Sequence, residues 1–337
     1  MLESLQRQLS ASFDNAAIVN LRRLSGGANM ETWAFDAIVG AHTEPLILRR
    51  MPVSNGDAPA PEELVGDVAI EVEAALIRLA AEQGVSVPEV RHVLTATDEL
   101  GRGYVMSREE GEALPQRLLA DPKYATARSK LPYQCGQAMA RIHAVPEGQV
   151  PEAVPRRDFP SQMAHFQSLL DRFGNTSPVH QLALNWLIDH PPAPEPLTLV
   201  HGDFRNGNLL LDEQGLAAVL DWELAHVGHP FEDLGYFCAN VWRFGRYDQP
   251  AGGFGDYEAL LAGYRSVAGR APTVRQLKYW ELVAALNWGL VTQTMVAIFE
   301  SGVDRRLERA AVGRRLSESE IDILLLLDEL EATEAVA

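Results

Sequence analysis

The chain has 337 residues, 47% apolar and 22% charged, which are the proportions of an ordinary globular protein with room for one large domain or two lobes. Its net charge of −17 excludes the basic footprint that nucleic acid requires. The two cysteines, Cys135 and Cys238, are far apart and in no Cys-x-x-Cys pair, so they read as buried thiols and not as a metal or redox site.

The N-terminal segment 1–20 has Leu2, Leu5, Leu9 and Phe13 at helical spacing and no apolar signal core, so the expectation is a leading helix and a cytoplasmic protein. No continuous apolar run is long enough to predict a membrane span. Two adjacent glycines follow in Leu24-Ser-Gly-Gly-Ala-Asn29, between strand-like segments, where a backbone can turn tightly or pass close to a ligand. Residues 45–50 read as a strand whose alternation puts Ile47 and Arg49 on one face, Leu48 and Arg50 on the other. The Pro-, Ala- and Gly-rich stretch 51–63 predicts a loop. Residues 64–83 predict a helix with Val68, Val72, Ala75, Leu76 and Leu79 as its apolar stripe and with Glu71 and Glu73 on opposite flanks. Residues 92–97 and 103–107 predict an antiparallel pair around a Gly-containing turn.

From residue 112 onward the pattern turns helical, over 112–120, 122–145, 158–173 and 178–190. His143, just before a Pro-containing stop, reads as a capping or packing group. The stretch 238–335 is mostly helical and rich in Tyr and Trp, and the last helix, Glu318–Glu331, is unusually apolar, which fits packing on the body of the protein. No solenoid-period repeat is present.

The chemistry concentrates in Leu199-Val-His-Gly-Asp-Phe-Arg-Asn-Gly-Asn-Leu-Leu-Leu-Asp212 and in Val219-Leu-Asp-Trp-Glu223. These segments predict a strand, a polar loop, an apolar strand, a turn and a second strand ending in a carboxylate. Asp203 can orient a hydroxyl and take its proton. Asn208 and Asp221 offer hard oxygen ligands to Mg²⁺. Phosphoryl transfer needs little else, because it depends on positioning and charge neutralisation.

His-x-Asp-x-x-x-x-Asn followed by Asp-Trp-Glu resembles the catalytic segment of the aminoglycoside phosphotransferase and choline kinase-like family, relatives of the protein kinases. It is most similar to the bacterial phosphotransferases related to the kinase domain of the acyl-CoA dehydrogenase 10/11 proteins. The resemblance covers roughly residues 20 to 300. It implies an α+β, two-lobed protein kinase-like fold, with a small antiparallel-sheet nucleotide-binding lobe over residues 1–106 and a mainly helical catalytic and substrate-binding lobe over 107–337. It further implies that Ser25, Gly26, Gly27 and Asn29 cover the phosphates, that Ile47 roofs the adenine, and that Arg49 contacts the phosphates with Glu73 as its partner. Met106, Ser107 and Arg108 would form the hinge that pairs with the adenine edge, and Leu210 and Leu220 the pocket floor. In the same terms His201 holds the loop, Asp203 is catalytic, Asn208 and Asp221 bind the metal, and Asp233 braces the loop through backbone N–H groups. Arg205 is a candidate for an anionic contact and Glu223 for a metal or cation contact.

Arginine at 49 in place of the commoner lysine, and His229 where an acidic residue is usual, depart from the pattern. The residue pattern leaves open whether Arg49 or Arg50 reaches phosphate. The expected function is an ATP- and Mg²⁺-dependent small-molecule kinase, a monomer or homodimer, transferring the γ-phosphate to a hydroxyl. An aromatic wall in the second half favours an apolar or hydroxyacyl acceptor over a polycationic one. Two other readings remain at this point. One is a catalytically weak nucleotide-binding module, for which only Arg49 and His229 speak. The other is a two-His, one-carboxylate iron site built on His201 and Asp203 with His226 or His229, which the helical second half argues against.

Overall fold

The computed structural model describes residues 2–13, 15–24, 30–51, 68–174 and 177–334. Helix α1 (Leu2–Ser12) leads into strands β1 (Ala17–Arg23), β2 (Glu31–Val39) and β3 (His42–Arg50), then helix α2 (Ile70–Glu82) and strands β4 (Val90–Val93) and β5 (Gly103–Ser107). The strands form one antiparallel sheet in the order β1-β2-β3-β5-β4. Period-two alternation divides its faces. Trp33, Phe35, Leu46, Leu48 and Val105 pack with Leu5 and Leu9 of α1. In register with one another, Thr32, Ala34, Ile47, Arg49, Tyr104 and Met106 belong to the other face.

Three expectations from the sequence change. The leading helix stops at Ser12, and β1 begins at Ala17 inside the predicted helical stretch. The predicted strand 92–97 is shorter, because Thr95 and Asp98 close a reciprocal capping box around a short 3-10 turn. In α2 the buried face is Ile70, Glu73, Ala74, Ile77 and Ala80, with Leu76. The helix is therefore rotated from the apolar stripe read in the sequence, and Glu73 sits in the middle of its buried side.

The chain then becomes helical: α3 (Pro115–Ala120), α4 (Ala125–His143), α5 (Phe159–Arg172) and α6 (Pro178–Asp189). Four short strands follow, β6 (Thr198–Val200), β7 (Leu209–Leu211), β8 (Leu216–Val219) and β9 (His226–Gly228), pairing as two antiparallel ribbons, β6 with β9 and β7 with β8. Helices α7 (Phe231–Cys238), α8 (Tyr257–Ala268), α9 (Val274–Ser301), α10 (Leu307–Gly313) and α11 (Leu316–Glu334) complete it. Their starts carry local signals. Asp158, Ser177 and Asp256 accept N-terminal backbone N–H groups of α5, α6 and α8, and Thr273 with Gln276 closes a capping box on α9.

Helix α9 is uncharged from Leu282 to Phe299, and among the described residues it is the one helix long and apolar enough to cross a membrane. Its apolar surface is instead taken up by α7, α10 and α11, as in a core helix. The main core joins α2 to the helical part through Ile77, Tyr104, Leu209, Val219 and Trp222. It thereby fixes the sheet over the two short ribbons.

Candidate functional site

The loop between β6 and β7 is held from behind. Buried Asp233 of α7 accepts the backbone N–H groups of His201 (2.8 Å) and Gly202 (2.9 Å) and meets His143 Nε2 at 3.0 Å. Burial alone would raise the Asp233 carboxyl, but the bonds from His143 and the loop amides hold it below its usual range. His143 also meets the Tyr264 hydroxyl at 2.9 Å, so it is a buried link between α4, α7 and α8. Gly202 has φ +78°, and a Cβ there would fall 2.2 Å from the Leu224 carbonyl oxygen. Only glycine suits the approach.

His201 is fully buried. Its Nδ1 accepts the Asp203 N–H (3.2 Å), which leaves Nε2 to donate to the Leu220 carbonyl (3.1 Å). Burial keeps this ring neutral, its pKa below the usual histidine value. The histidine thus ties the loop to the residue before Asp221.

Asp203 has both oxygens engaged. Arg205 Nε donates to Oδ1 at 2.9 Å and Asn208 Nδ2 to Oδ2 at 2.5 Å. The Asn208 carbonyl oxygen is the amide atom left for a further partner. Leu220 N–H donates to the Asn208 backbone carbonyl at 2.8 Å, keeping β7 and the segment after β8 together. Asp221 itself has φ +67°, a left-handed conformation that turns the chain out of the strand direction.

Arg49 reaches across from β3. Its Nη2 lies 2.6 Å from Asp221 Oδ1 and 3.1 Å from Glu223 Oε2, and its Nε lies 3.4 Å from Glu73 Oε1. Burial alone would lower the Arg49 pKa, but Glu73 and Asp221 outweigh it, so the guanidinium stays charged. Burial raises Glu73 against the pull of Arg49. Glu223 is raised to about 7, by burial first and then by Asp221. Glu73 is also fixed by the Trp222 N–H (3.2 Å), while Glu71 turns outward to Arg102. Arg50 points to the opposite side, bonding Glu31 and the Leu100 carbonyl.

A cleft of about 340 Å³ lies between the sheet and the ribbons, lined among others by Thr32, Arg49, Tyr104, Met106, Asn208, Leu220, Asp221 and Trp222. This is a usual size for a small-ligand site. Of the residues nominated from sequence, Arg49, Met106, Asn208, Leu220 and Asp221 line it. Glu73 stands behind Arg49, and Ile47 is buried on the same face of β3. Leu210 packs against Gly111, beyond the end of β5. Ser107 and Arg108 do not line the cleft. Their N–H groups donate to the Glu89 and Pro45 carbonyls, and the Arg108 side chain pairs with Asp36 at 2.6 Å. Two of the three residues expected at the adenine edge thus have N–H groups already used by the protein. Ser25, Gly26, Gly27 and Asn29 lie outside the described residues.

The sequence reading missed Tyr104 and Trp222 beside Glu73, and it expected an aromatic wall in the second half without saying which residues form the block next to Asp203. Arg205 stacks over Trp242 at 4.5 Å, Trp242 meets Trp288 at 5.2 Å, and Tyr236 meets Trp242 at 5.5 Å. Alternation from Met106 would have found Tyr104. No local pattern marks the tryptophans, which come together from α9 and the turn after α7.

The family model described as the phosphotransferase enzyme family matches residues 20–270. The chain belongs to this phosphotransferase family. A mouse relative, acyl-CoA dehydrogenase family member 10, is 29% identical to the phosphotransferase over 180 residues, covering 50% of this chain and 16% of the mouse protein. The match thus spans about a sixth of that relative. Among solved structures, a candidate aminoglycoside phosphotransferase from Ralstonia eutropha superposes with a TM-score of 0.72 at 20% identity, covering 96% of this chain and 98% of that one. A thermostable mutant of aminoglycoside phosphotransferase APH(4)-Ia, in ternary complex with AMP-PNP and hygromycin B, superposes at 0.58 with 17% identity, covering 95% and 98%. At these identities the likeness establishes the two-lobed, kinase-like α+β fold.

Proposed function

We propose that this phosphotransferase is an ATP- and Mg²⁺-dependent kinase that transfers the γ-phosphate to a hydroxyl of a small molecule. The observation that carries the reading is the convergence of Arg49, Asn208 and Asp221 on one cleft, with Asp203 hydrogen-bonded to Asn208 at its edge. The nucleotide-analogue complex of the structural neighbour supports the same use of the cleft.

In this reading residues 1–106 form the nucleotide lobe and residues 107–337 the catalytic lobe. Met106 and Leu220 bound the base end, with Ile47 above. Arg49, held by Glu73, faces the phosphates. The donor set fits Mg²⁺: one carboxylate and one amide oxygen line the same cleft, and this ion takes few protein ligands and completes its shell with water and phosphate oxygens. Bound there, it would neutralise phosphate charge. Asp203 orients the acceptor hydroxyl and accepts its proton, which suffices when the transition state is loose. Arg205, stacked on Trp242 and paired with Asp203, holds that carboxylate in place. Tyr236, Trp242 and Trp288 give the acceptor side an aromatic wall, which suits an acceptor with an apolar portion, such as a hydroxyacyl compound.

The test is thermal unfolding with ATP, with and without Mg²⁺, on the native protein and on Asp221→Asn. Ligand at 100 times its Kd stabilises a fold by about 2.7 kcal/mol. A Mg²⁺-dependent rise that disappears in the variant supports the reading, and the absence of any shift in the native protein overturns it.

A further inference from the structure

The backbone of the loop from His201 to Asn208 is pinned to the rest of the protein. Asp233 holds the N–H groups of His201 and Gly202, the Leu220 N–H holds the Asn208 carbonyl, and Asn206 Nδ2 donates to the Gly252 carbonyl at 3.2 Å. The Asp203 side chain is placed differently. Arg205 (2.9 Å) and Asn208 (2.5 Å) donate to its two oxygens, but both belong to the loop itself and move with it. They orient the carboxylate within the loop without tying it to the body of the fold.

Helix α7 supplies that tie. Asp233 and Tyr236 are three residues apart and so project from one side of the helix. Asp233 takes the loop amides, and the Tyr236 hydroxyl lies beside the Asp203 carboxylate. The surrounding contacts close the same arrangement. Phe204, next to Asp203, meets Phe237, next to Tyr236, edge to face at 5.7 Å. Tyr236 meets Trp242 at 5.5 Å, and Arg205 lies over the Trp242 ring at 4.5 Å while it bonds Asp203. The helix is itself pressed onto α9. A Cβ on Gly235 would fall 2.4 Å from the Trp280 carbonyl carbon, so the two backbones touch between Asp233 and Tyr236.

An ionised carboxylate offers about four acceptor positions. Arg205 and Asn208 use two of those on Asp203, which leaves room for a phenol and for an acceptor hydroxyl. Burial, with Asp203 adding to it and Arg205 opposing, pushes the Tyr236 phenol well above its usual value, so the hydroxyl keeps its proton and acts as a donor. Placement of a reacting group matters at this scale, since an error of about 1 Å costs about 10²-fold in rate.

We propose that Tyr236 is a positioning residue for phosphoryl transfer: its hydroxyl donates to the Asp203 carboxylate and fixes that side chain on α7. One helix then sets both parts of the loop, its backbone through Asp233 and its reacting side chain through Tyr236. The role rests on the proposed kinase reaction and adds to the part that the Tyr236 ring plays in the aromatic wall.

Tyr236→Phe removes one oxygen and keeps the ring against Trp242, so the packing that holds α7 is untouched. The probe is turnover of Mg²⁺-ATP with water as the acceptor, followed as release of radiolabelled phosphate so that slow variants stay measurable. It is applied to the native protein, Tyr236→Phe, Asp203→Asn and the double variant, with urea midpoints to confirm that each is folded. Tyr236→Phe should lower kcat about tenfold or more, while the KM for ATP changes by less than about threefold. On the Asp203→Asn background the same change should have less than about a threefold effect, because a group that acts through Asp203 has nothing left to position. An equal loss on both backgrounds would mean that the hydroxyl supports the fold and not Asp203, and an unchanged kcat would show it idle; either result overturns the proposal. So would a phosphate on Tyr236 in the intact mass after incubation with Mg²⁺-ATP, since the hydroxyl would then be an acceptor. A native protein that turns over no ATP removes the kinase reading and this role together, whereas turnover that ignores Tyr236→Phe removes the role alone.

Discussion

Arg49 Nη2 lies 2.6 Å from Asp221 Oδ1, joining the third strand of the N-terminal sheet to the carboxylate that follows the second ribbon. The same guanidinium serves Glu73 and Glu223. One cation therefore offsets three carboxylates in a mostly buried place, where removing one partner of a charge group leaves the others uncompensated.

Replacing Arg49 with alanine should therefore destabilise the protein by about 3 kcal/mol, the lower end for a broken buried ion pair. Arg49→Lys should keep most of that stability and lose part of the nucleotide affinity, because lysine retains the charge without the planar fork. Urea unfolding measures the first effect and nucleotide titration the second. An Arg49→Ala protein as stable as the native one would show that the carboxylates do not depend on this residue.

The Arg49 and Glu73 pair also marks how far sequence reasoning reaches. Strand alternation placed Ile47 and Arg49 together because a strand has only two faces. A helix offers no such choice between two, and the apolar stripe read for α2 left Glu71 and Glu73 on opposite flanks, so that only the resemblance singled out Glu73. The helix is rotated because Glu73 is drawn inward by Arg49, a cation on a different element, and periodicity counts such a residue as polar. The loop from His201 to Asn208 was legible because its residues are spaced for chemistry within a single turn of chain. The Tyr236, Trp242 and Trp288 block was not, because its members meet only through tertiary packing. The end of β5 was legible as a strand end, but not the use of the Ser107 and Arg108 N–H groups, which the flanking Glu89 and Pro45 carbonyls take.

Asp203→Asn should lower turnover by about 10²–10⁴, the range of a general base, with ATP affinity unchanged. Asn208 and Arg205 contact Asp203 from either side, so the near-isosteric amide keeps the loop in place. Steady-state phosphorylation of a proven acceptor is the measurement. An unchanged rate would remove Asp203 from the proposed role.

Gly202→Ala should disturb the loop more than its size suggests. The left-handed backbone alone costs about 1–2 kcal/mol for a residue with a Cβ. The added carbon would also meet the Leu224 carbonyl oxygen at 2.2 Å, so the loop must move away from Asp233. Turnover should fall by at least tenfold while Arg49 and the sheet still bind nucleotide. Equal activity of the two proteins would show that the loop tolerates the shift.

Glu281 predicts a pH dependence of stability that runs opposite to that of most acidic groups. Its carboxyl is lifted to about 7 by burial, against the lowering effects of Arg243, Tyr257 and Lys278 and with a small addition from Glu329. In the unfolded chain it titrates near 4.3. Between these values the folded protein holds a proton that the unfolded chain has released. Stability therefore falls as pH rises from about 4.3 to about 7, by an amount on the order of 3 kcal/mol, and is level in this respect above that window. Glu281→Gln is always neutral at this position and should remove the slope, leaving the variant more stable relative to the native protein at pH 8 than at pH 5. Urea midpoints of both proteins across that range give the difference directly. A difference that does not change with pH would mean that Arg243 keeps Glu281 ionised throughout.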